Sequence, residues 1–397
     1  MSDDTPAYEM IEDDASLAAY MEKLSRCPVV AVDTESNSLY HYIERVSLIQ
    51  VTGREADGTC HHAIIDPFAD LDVSPLGPIM ADPEVVTIFH GADFDVVSLK
   101  RDYGFSFAGV YDTMIAARAA GVERFGLADL VRGYFGVELN KKYQKHDWAA
   151  RPIIQEALDY AHLDTRYLPE IMDRLRGEVA AKGRCDMVDE ECELVADRTW
   201  APRAPEGELF LLIKGANKLQ PDALKVLREL FAWREGVARK RDVPSFKVVG
   251  NDLLLAIAQA APDDAQGLEA LGGKRHRMMR RYGPRILDAI AEGKVSEQPI
   301  PKLSVRGNSG GRGPRFTKED DALFKFLRDW RNRQAKEEGV EPAVVVNNTV
   351  LQEVAALRPE APERVAQAPS IRRWQLKRYA GPLVEEVARF EANGAGA

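Results

Sequence analysis

The chain repeats itself toward its C-terminal end, and no single motif limits the fold as much. Leu230-Phe231-Ala232-Trp233-Arg234 matches Leu327-Arg328-Asp329-Trp330-Arg331. Eighteen residues past each Trp stands an Asn, Asn251 and Asn348. Val248-Val249-Gly250-Asn251-Asp252-Leu253-Leu254 lines up there with Val345-Val346-Asn347-Asn348-Thr349-Val350-Leu351. Arg281-Tyr282-Gly283-Pro284 then pairs with Arg378-Tyr379-Ala380-Gly381-Pro382. Two copies of one small helical domain, each about 75–80 residues, account for this, because a stacked repeat array needs more than two units. The matching positions of Trp233 and Trp330 point to core packing in both copies. A helical unit is expected from about 218 to 294. Pro299–Pro314, with Gly307-Asn308-Ser309-Gly310-Gly311-Arg312-Gly313, has the composition of a flexible linker between the copies.

The part before Trp200-Ala201-Pro202-Arg203-Ala204-Pro205-Glu206-Gly207 reads differently. Val29–Val32, Val46–Val51, Ala63–Ile65 and Val85–Phe89 are short apolar or alternating runs, expected as strands. From Asp93 onward the pattern is helical: Val96, Val97 and Leu99, then Met114–Ala119 and Leu127–Tyr134. A last helix is expected to start near Pro152, a favourable first-turn position, and Glu156–Arg174 reads as helix. Strands first, with helices after and among them, indicate an α/β domain. With 397 residues the chain has room for two or three domains.

No apolar run reaches about 18 residues, so no membrane span is expected. The start, Met1-Ser2-Asp3-Asp4, lacks the layout of a signal peptide, and the expected location is the cytoplasm. Cys27, Cys60, Cys185 and Cys192 form no CxxC pair, so neither a zinc knuckle nor a redox motif is supported. Cys60-His61-His62 precedes Ala63-Ile64-Ile65 and reads as a strand entry. The net charge of −10 argues against nucleic acid until its distribution is considered. Residues 1–100 hold 19 Asp/Glu against 5 Lys/Arg, and the rest of the chain is mildly basic. An acidic front and a basic back suit a metal-binding domain followed by a polyanion-binding one.

The acidic front contains the chemistry. Asp33 and Glu35, two apart at a strand end, share a face. Tyr160 and Asp164, at i and i+4, share a helix face. Asp95 follows the strand ending at Phe89-His90. Four carboxylates can thus converge at the carboxyl edge of a sheet. Hard divalent ions prefer carboxylate oxygen. Two such ions about 4 Å apart clamp both the attacking and the leaving oxygen of a phosphodiester.

Taken jointly, Asp33-Thr34-Glu35, His90-Gly91-Ala92-Asp93-Phe94-Asp95 and Tyr160-Ala161-His162-Leu163-Asp164 resemble the three motifs of the DEDD exonucleases, in the subclass that carries tyrosine. Asp147-Trp148-Ala149-Ala150-Arg151-Pro152 resembles the stretch before the third motif in the ribonuclease D family. Trp233 and Trp330 with their following helices resemble the helicase-and-ribonuclease-D C-terminal (HRDC) domain, present twice. The resemblance covers nearly the whole chain. It implies an α/β, ribonuclease H-like exonuclease domain, a mixed sheet flanked by helices, over residues 1–200. Two small all-α helical bundles follow at 218–296 and 316–395, joined by a linker at 297–315.

The resemblance also implies the roles. Asp33, Glu35 and Asp164 would hold a metal that activates water. Asp33 would bridge to a second metal supported by Asp95 through water. Tyr160 would orient the nucleophilic water. The expected cofactors are two divalent cations, Mg2+ or Mn2+. The expected activity is 3′–5′ exoribonuclease action from a 3′-hydroxyl end, releasing 5′-mononucleotides. The expected partner is RNA, with transfer RNA precursors or other small structured RNAs as substrates, and the expected state is a monomer. Many relatives carry Phe after the first-motif Glu, whereas this chain has Ser36. That leaves contact with the terminal base to Leu39 or Tyr40.

Lys274, Arg275, Arg277, Arg280, Arg281 and Arg285, with no acid among them, suit phosphate neutralisation. Ser370–Ala380 interleaves Arg372, Arg373, Lys377 and Arg378 with Trp374 and Tyr379, a pattern suited to single strands. Lys302, Arg306, Arg312 and Arg315 add charge to the linker. The rival readings are a DNA 3′–5′ exonuclease, which the motifs share, and a non-catalytic adaptor, which would lack a carboxylate. A helicase phosphate loop is not formed, since Gly273 stands where Lys is required.

Overall fold

The computed structural model describes residues 8–201, 204–272, 276–303 and 317–394. They form two compact units. One takes the described residues up to 35, 46–200 and those from 317 on. The other takes Ser36–Arg45 and the described residues from 201 to 303.

In the first unit, strands Glu9–Ile11 (β1), Val29–Ser36 (β2), Val46–Arg54 (β3), Cys60–Ile65 (β4), Val86–Phe89 (β5) and Val110–Asp112 (β6) form one sheet in the order β1-β4-β3-β2-β5-β6. β3 and β4 are antiparallel, with Ile49 opposite Ile65 and Arg54 opposite Cys60. The pairs β1/β4, β2/β5 and β5/β6 are parallel, so the sheet is mixed. The helices are Asp14–Leu24 (α1), Leu76–Ala81 (α2), Asp93–Tyr103 (α3), Thr113–Ala119 (α4), Leu127–Phe135 (α5), Gln155–Arg166 (α6), Leu168–Ala181 (α7) and Cys185–Ala196 (α8). The unbroken apolar run at the start of β2 reflects burial on both faces. Val29 and Ala31 pack with Ala116, Leu168 and Ile171 of α4 and α7. Val30 and Val32 pack with Leu17, Tyr20, Val96 and Leu99 of α1 and α3.

Two expectations are corrected here. The last helix starts at Gln155, after Ile154 in the cap position, and not near Pro152, whose bond to Arg151 is cis. The helical segment Glu156–Arg174 is divided at Tyr167, with Pro169 in the first turn of α7. A proline lacks the N–H that would continue the ladder of α6.

The second unit holds the first helical copy: Pro221–Arg241 (α9), Ser245–Val248 (α10), Asn251–Ala260 (α11), Ala265–Gly272 (α12) and His276–Val295 (α13). Its core includes Leu227, Leu230, Leu254, Ile257, Ile286 and Ile290. A Cβ on Gly293 would lie 2.5 Å from the Cα of Val226, so glycine lets the backbones of α9 and α13 approach closely. Trp233 is half-buried, edge-on to Tyr282 at 5.6 Å.

The second helical copy lies in the first unit: Lys318–Glu338 (α14), Pro342–Val345 (α15), Asn348–Leu357 (α16), Pro362–Val365 (α17) and Arg373–Gly394 (α18). Trp330 is buried against Tyr379 at 6.1 Å. This copy is docked on α8. The Glu190 carboxylate accepts the backbone N–H groups of Arg373 and Trp374 at 2.8 and 2.9 Å, capping the start of α18 from another domain. Arg372 pairs with Glu191, Arg373 with Glu193, and Lys377 and Arg378 with Asp186. Trp374 and Tyr379 are buried. The reading of Ser370–Ala380 as a single-strand track is therefore overturned: its cations are paired and its aromatics are core. Among the described residues no helix is long and apolar enough to cross a membrane.

Candidate active site

β2 delivers Asp33 and Glu35, and α6 delivers Tyr160 and Asp164 one turn apart. Carboxylate oxygens of Asp33, Glu35 and Asp164 lie within 4.8 Å of one another. With Tyr160 they line a cavity of about 500 Å³, which His90, Met114, Leu127, Leu139, Asn140, Lys141 and Gln144 help to close. Asp95 is buried in the first turn of α3. The Thr34 hydroxyl, between the two β2 carboxylates, donates to it at 2.5 Å. The structure thus brings three of the four carboxylates into one potential ligand set and ties the fourth to the same strand.

The surrounding sequence explains how these side chains are held. Asp112, ending β6, accepts the N–H groups of Gly91 and Ala92 at 3.0 and 2.8 Å and of Met114 and Ile115 at 2.8 and 3.3 Å. One buried carboxylate thereby fixes the approach to α3 and the start of α4. Gly91 has φ 80°, and a Cβ there would meet Met114 Cε at 2.9 Å. The Tyr160 ring is held by Trp148, stacked at 6.3 Å, and by Tyr143, tilted at 6.1 Å. Arg151 secures the Trp148 stretch. It donates both arms of its guanidinium to buried Asp66 at 2.5 and 2.6 Å, and further bonds to the carbonyls of Ser47 and Trp148. Ala157 and Ala161 of α6 pack with Leu48 and Ile64 of β3 and β4 in one buried cluster.

The electrostatics match a cation site. Burial, then the neighbouring carboxylates Asp95, Asp164 and Glu35, push Asp33 well above the usual carboxylate range. Burial and the same kind of repulsion bring Glu35 up to about 9 and Asp164 up to about 7. Burial raises Asp95 to about 6 despite the Thr34 bond. Such a set is under-compensated as protein alone, and a divalent cation would supply the missing positive charge. Burial, and secondarily the carboxylates, push Tyr160 above its ordinary value, so it stays a neutral phenol.

Three residues of this site had no sequence assignment. Gln144 and Lys141 line the cavity beside Tyr160, Lys141 bringing a cation into it, and Asp112 organises the turn before α3. Lys141 and Gln144 sit in an irregular polar stretch with no periodicity, and Asp112 ends a three-residue strand. The expected RNA contacts are distributed elsewhere. Leu39 is exposed and Tyr40 half-buried, both in Ser36–Arg45 of the second unit. Arg280, Arg281 and Arg285 are exposed on α13. Lys274, Arg275 and the side chain of Arg277 lie outside the described residues, as do Arg306, Arg312 and Arg315 of the linker.

Comparison with known proteins agrees with this geometry. The family model for a 3′–5′ exonuclease matches residues 8–180, and that for the HRDC domain matches 223–290 and 320–387. The exonuclease family of this fold is divalent-metal dependent. Ribonuclease D of Sphingobium indicum is 33% identical over 82% of this chain and 83% of its own. Exosome complex component 10 of Rattus norvegicus is 34% identical over 79% of this chain, which spans only 35% of that longer protein. The crystal structure of Escherichia coli RNase D shares the fold, with a TM-score of 0.67, 24% identity, and coverage of 97% of this chain and 99% of that one. An exonuclease domain with clustered carboxylates, two HRDC domains and near full-length similarity place this chain in the ribonuclease D family of 3′–5′ exoribonucleases.

Proposed function

We propose that the chain removes 5′-mononucleotides from the 3′-hydroxyl end of RNA by metal-assisted hydrolysis, with precursors of transfer RNA or other small structured RNAs as substrates. The observation that carries this is the meeting of Asp33, Glu35, Asp164 and Tyr160 in one cavity. Asp33, Glu35 and Asp164 would hold one divalent ion, and Asp33 with Asp95 would support a second, Mg2+ or Mn2+. Bound there, such ions would supply activation of water and neutralisation of charge on the phosphate.

The protein's own groups do the positioning. Tyr160, a neutral phenol, offers a hydroxyl to orient the attacking water and is unsuited to act as a base. Gln144, lining the same cavity, offers its amide to that hydroxyl. Lys141 offers charge to the phosphate that enters the cavity. Arg280, Arg281 and Arg285, with Lys274, Arg275 and Arg277, contact the RNA backbone, and Leu39 or Tyr40 the terminal base. The functional chain is a cytoplasmic monomer with an exonuclease domain at 1–200 and helical domains at 218–296 and 316–395.

Product analysis on an end-labelled RNA, with and without Mg2+, tests the reading. Single-nucleotide steps from the 3′ end that vanish in EDTA and in Asp33→Asn or Asp164→Asn are expected, with RNA binding retained. Activity that survives in both purified variants would sink the assignment. The same assay on single-stranded DNA decides between the two nucleic acids.

A further inference from the structure

The segment that continues β2 past Glu35 belongs to the second unit, where the first helical copy holds it tightly. The ring of His41 lies 2.7 Å from the Asp242 carboxylate, and the Tyr42 N–H donates to the same group at 3.1 Å. The Tyr42 hydroxyl donates to Glu235 at 3.3 Å, and Ser245 donates to the same oxygen at 2.7 Å. Lys247 sits over the Tyr40 ring, 4.1 Å from its centre. Asp242 closes α9 as its C-cap with φ 47°, the left-handed conformation common at helix ends.

What this strap presents to solvent is unusual. Leu39 is 41% exposed, Ile43 59% and Phe246 57%, the last beside Lys247 in the chain. Lys247 over the Tyr40 ring brings α10, which carries Phe246, to the segment that carries Leu39 and Ile43, and exposed apolar side chains in one region mark binding surfaces. The stretch also carries Arg45, Lys240, Arg241 and Lys247 against Glu44, Glu235 and Asp242. An exposed aromatic ring beside an ammonium group suits a base and its phosphate in a single strand, since every base has a face to stack. Glu35 of the catalytic cluster and Tyr40 are five positions apart in the chain.

We infer that Phe246 and Lys247 form, with Tyr40, a stacking platform for single-stranded RNA, Phe246 taking a base and Lys247 the adjoining phosphate. This rests on the reading that RNA is the substrate. The test titrates a fluorescently labelled single-stranded RNA into the full chain in EDTA, where binding is read without hydrolysis. Phe246→Ala should weaken binding about 10-fold, the effect of one lost base stack, and Phe246→Trp should restore it. Lys247→Ala should reduce the slope of log affinity against log salt by about 0.7, one phosphate contact on a single strand. Phe246 is exposed, so the circular dichroism spectrum of Phe246→Ala should match the wild type. An unchanged affinity in Phe246→Ala overturns the platform, and so does failure of Phe246→Trp to restore a lost affinity. A wild-type protein that binds with this dependence on Phe246 yet cuts no RNA in Mg2+ would sink the proposed activity while supporting the platform.

Discussion

Arg331 donates to the side-chain oxygen of Asn348 at 2.7 Å, and the residues at the matching positions of the first copy, Arg234 and Asn251, do the same at 2.7 Å. Each guanidinium also reaches a carbonyl, Val346 in one copy and Val249 in the other, at 3.3 Å. Both arginines are buried. The Arg after each Trp and the Asn seventeen positions beyond it are therefore one device, which joins the long helix to the start of α16 or α11.

Truncating the acceptor should expose how much this device contributes. Asn348→Ala removes the closest acceptor of a buried charged donor, at a cost of about 2 kcal/mol. The expected readout is a lower urea midpoint with an unchanged slope. Asn251→Ala should cost a similar amount, given the same geometry. A midpoint that does not move in either variant would show that the carbonyl contact alone satisfies the arginine.

Tyr160 and Gln144 should separate turnover from affinity. Tyr160→Phe keeps the ring between Trp148 and Tyr143 and deletes only the hydroxyl. It should lower kcat by about 10²-fold and leave KM for RNA in place, as expected for a group that acts in the transition state. Gln144→Ala should shift kcat in the same direction by a smaller factor. A rise in KM without a fall in kcat would assign both residues to substrate binding instead.

The carboxylate cluster should make metal-free stability depend on pH in a definite sense. Its folded-state pKa values are raised, to about 6 for Asp95, about 7 for Asp164 and about 9 for Glu35. The unfolded values lie near 4. The protonated forms favour the fold, so their contribution is whole below about pH 4 and is lost as pH rises through 6 to 9. In EDTA, Glu35→Gln should gain Tm relative to wild type, and the gain should widen from pH 5 to pH 9. Adding Mn2+ should raise the wild-type Tm more at pH 8 than at pH 6, because binding releases protons. A gap between the two proteins that stays constant with pH would show that Glu35 titrates normally.

The docking of the second helical copy should depend on one buried contact more than on several exposed ones. Glu190→Ala leaves two N–H groups at the start of α18 without an acceptor, at a cost of about 1–2 kcal/mol. Arg373 with Glu193 and Lys377 with Asp186 are largely exposed pairs. Such pairs contribute little and are screened by salt. Thermal unfolding should therefore respond more to Glu190→Ala than to a rise in salt. Faster proteolysis between α17 and α18 in Glu190→Ala would locate the loosening.

How much of this was legible in the sequence follows from the range of the interactions. The catalytic residues are carried by local patterns: a two-residue spacing on a strand, a four-residue spacing on a helix, an apolar run that ends at Asp33. The repeat betrayed itself because Arg234 and Asn251 recur as Arg331 and Asn348. Strands β1 and β6 escaped because three residues show no period. Asp112 escaped because its meaning lies in four N–H groups drawn from two separate turns. The cations of Ser370–Ala380 misled because their partners, Asp186 to Glu193, stand some 180 positions earlier. A linear count of charge cannot distinguish a free basic face from one already matched.

The Glu190 cap also has a consequence for the order in which the protein is made. Arg373 and its acceptor are separated by 183 positions, so α8 leaves the ribosome long before α18 does. Through that interval Asp186, Glu190, Glu191 and Glu193 form an acidic docking face that awaits its partner, while the first helical copy is still being synthesised. That earlier copy resembles the later one in sequence. At the positions matching Arg372, Arg373, Lys377 and Arg378 it carries Arg275, His276, Arg280 and Arg281. Discrimination between the two during synthesis thus falls on few side chains, among them Trp374, which stands opposite Arg277, and Arg373, which stands opposite His276.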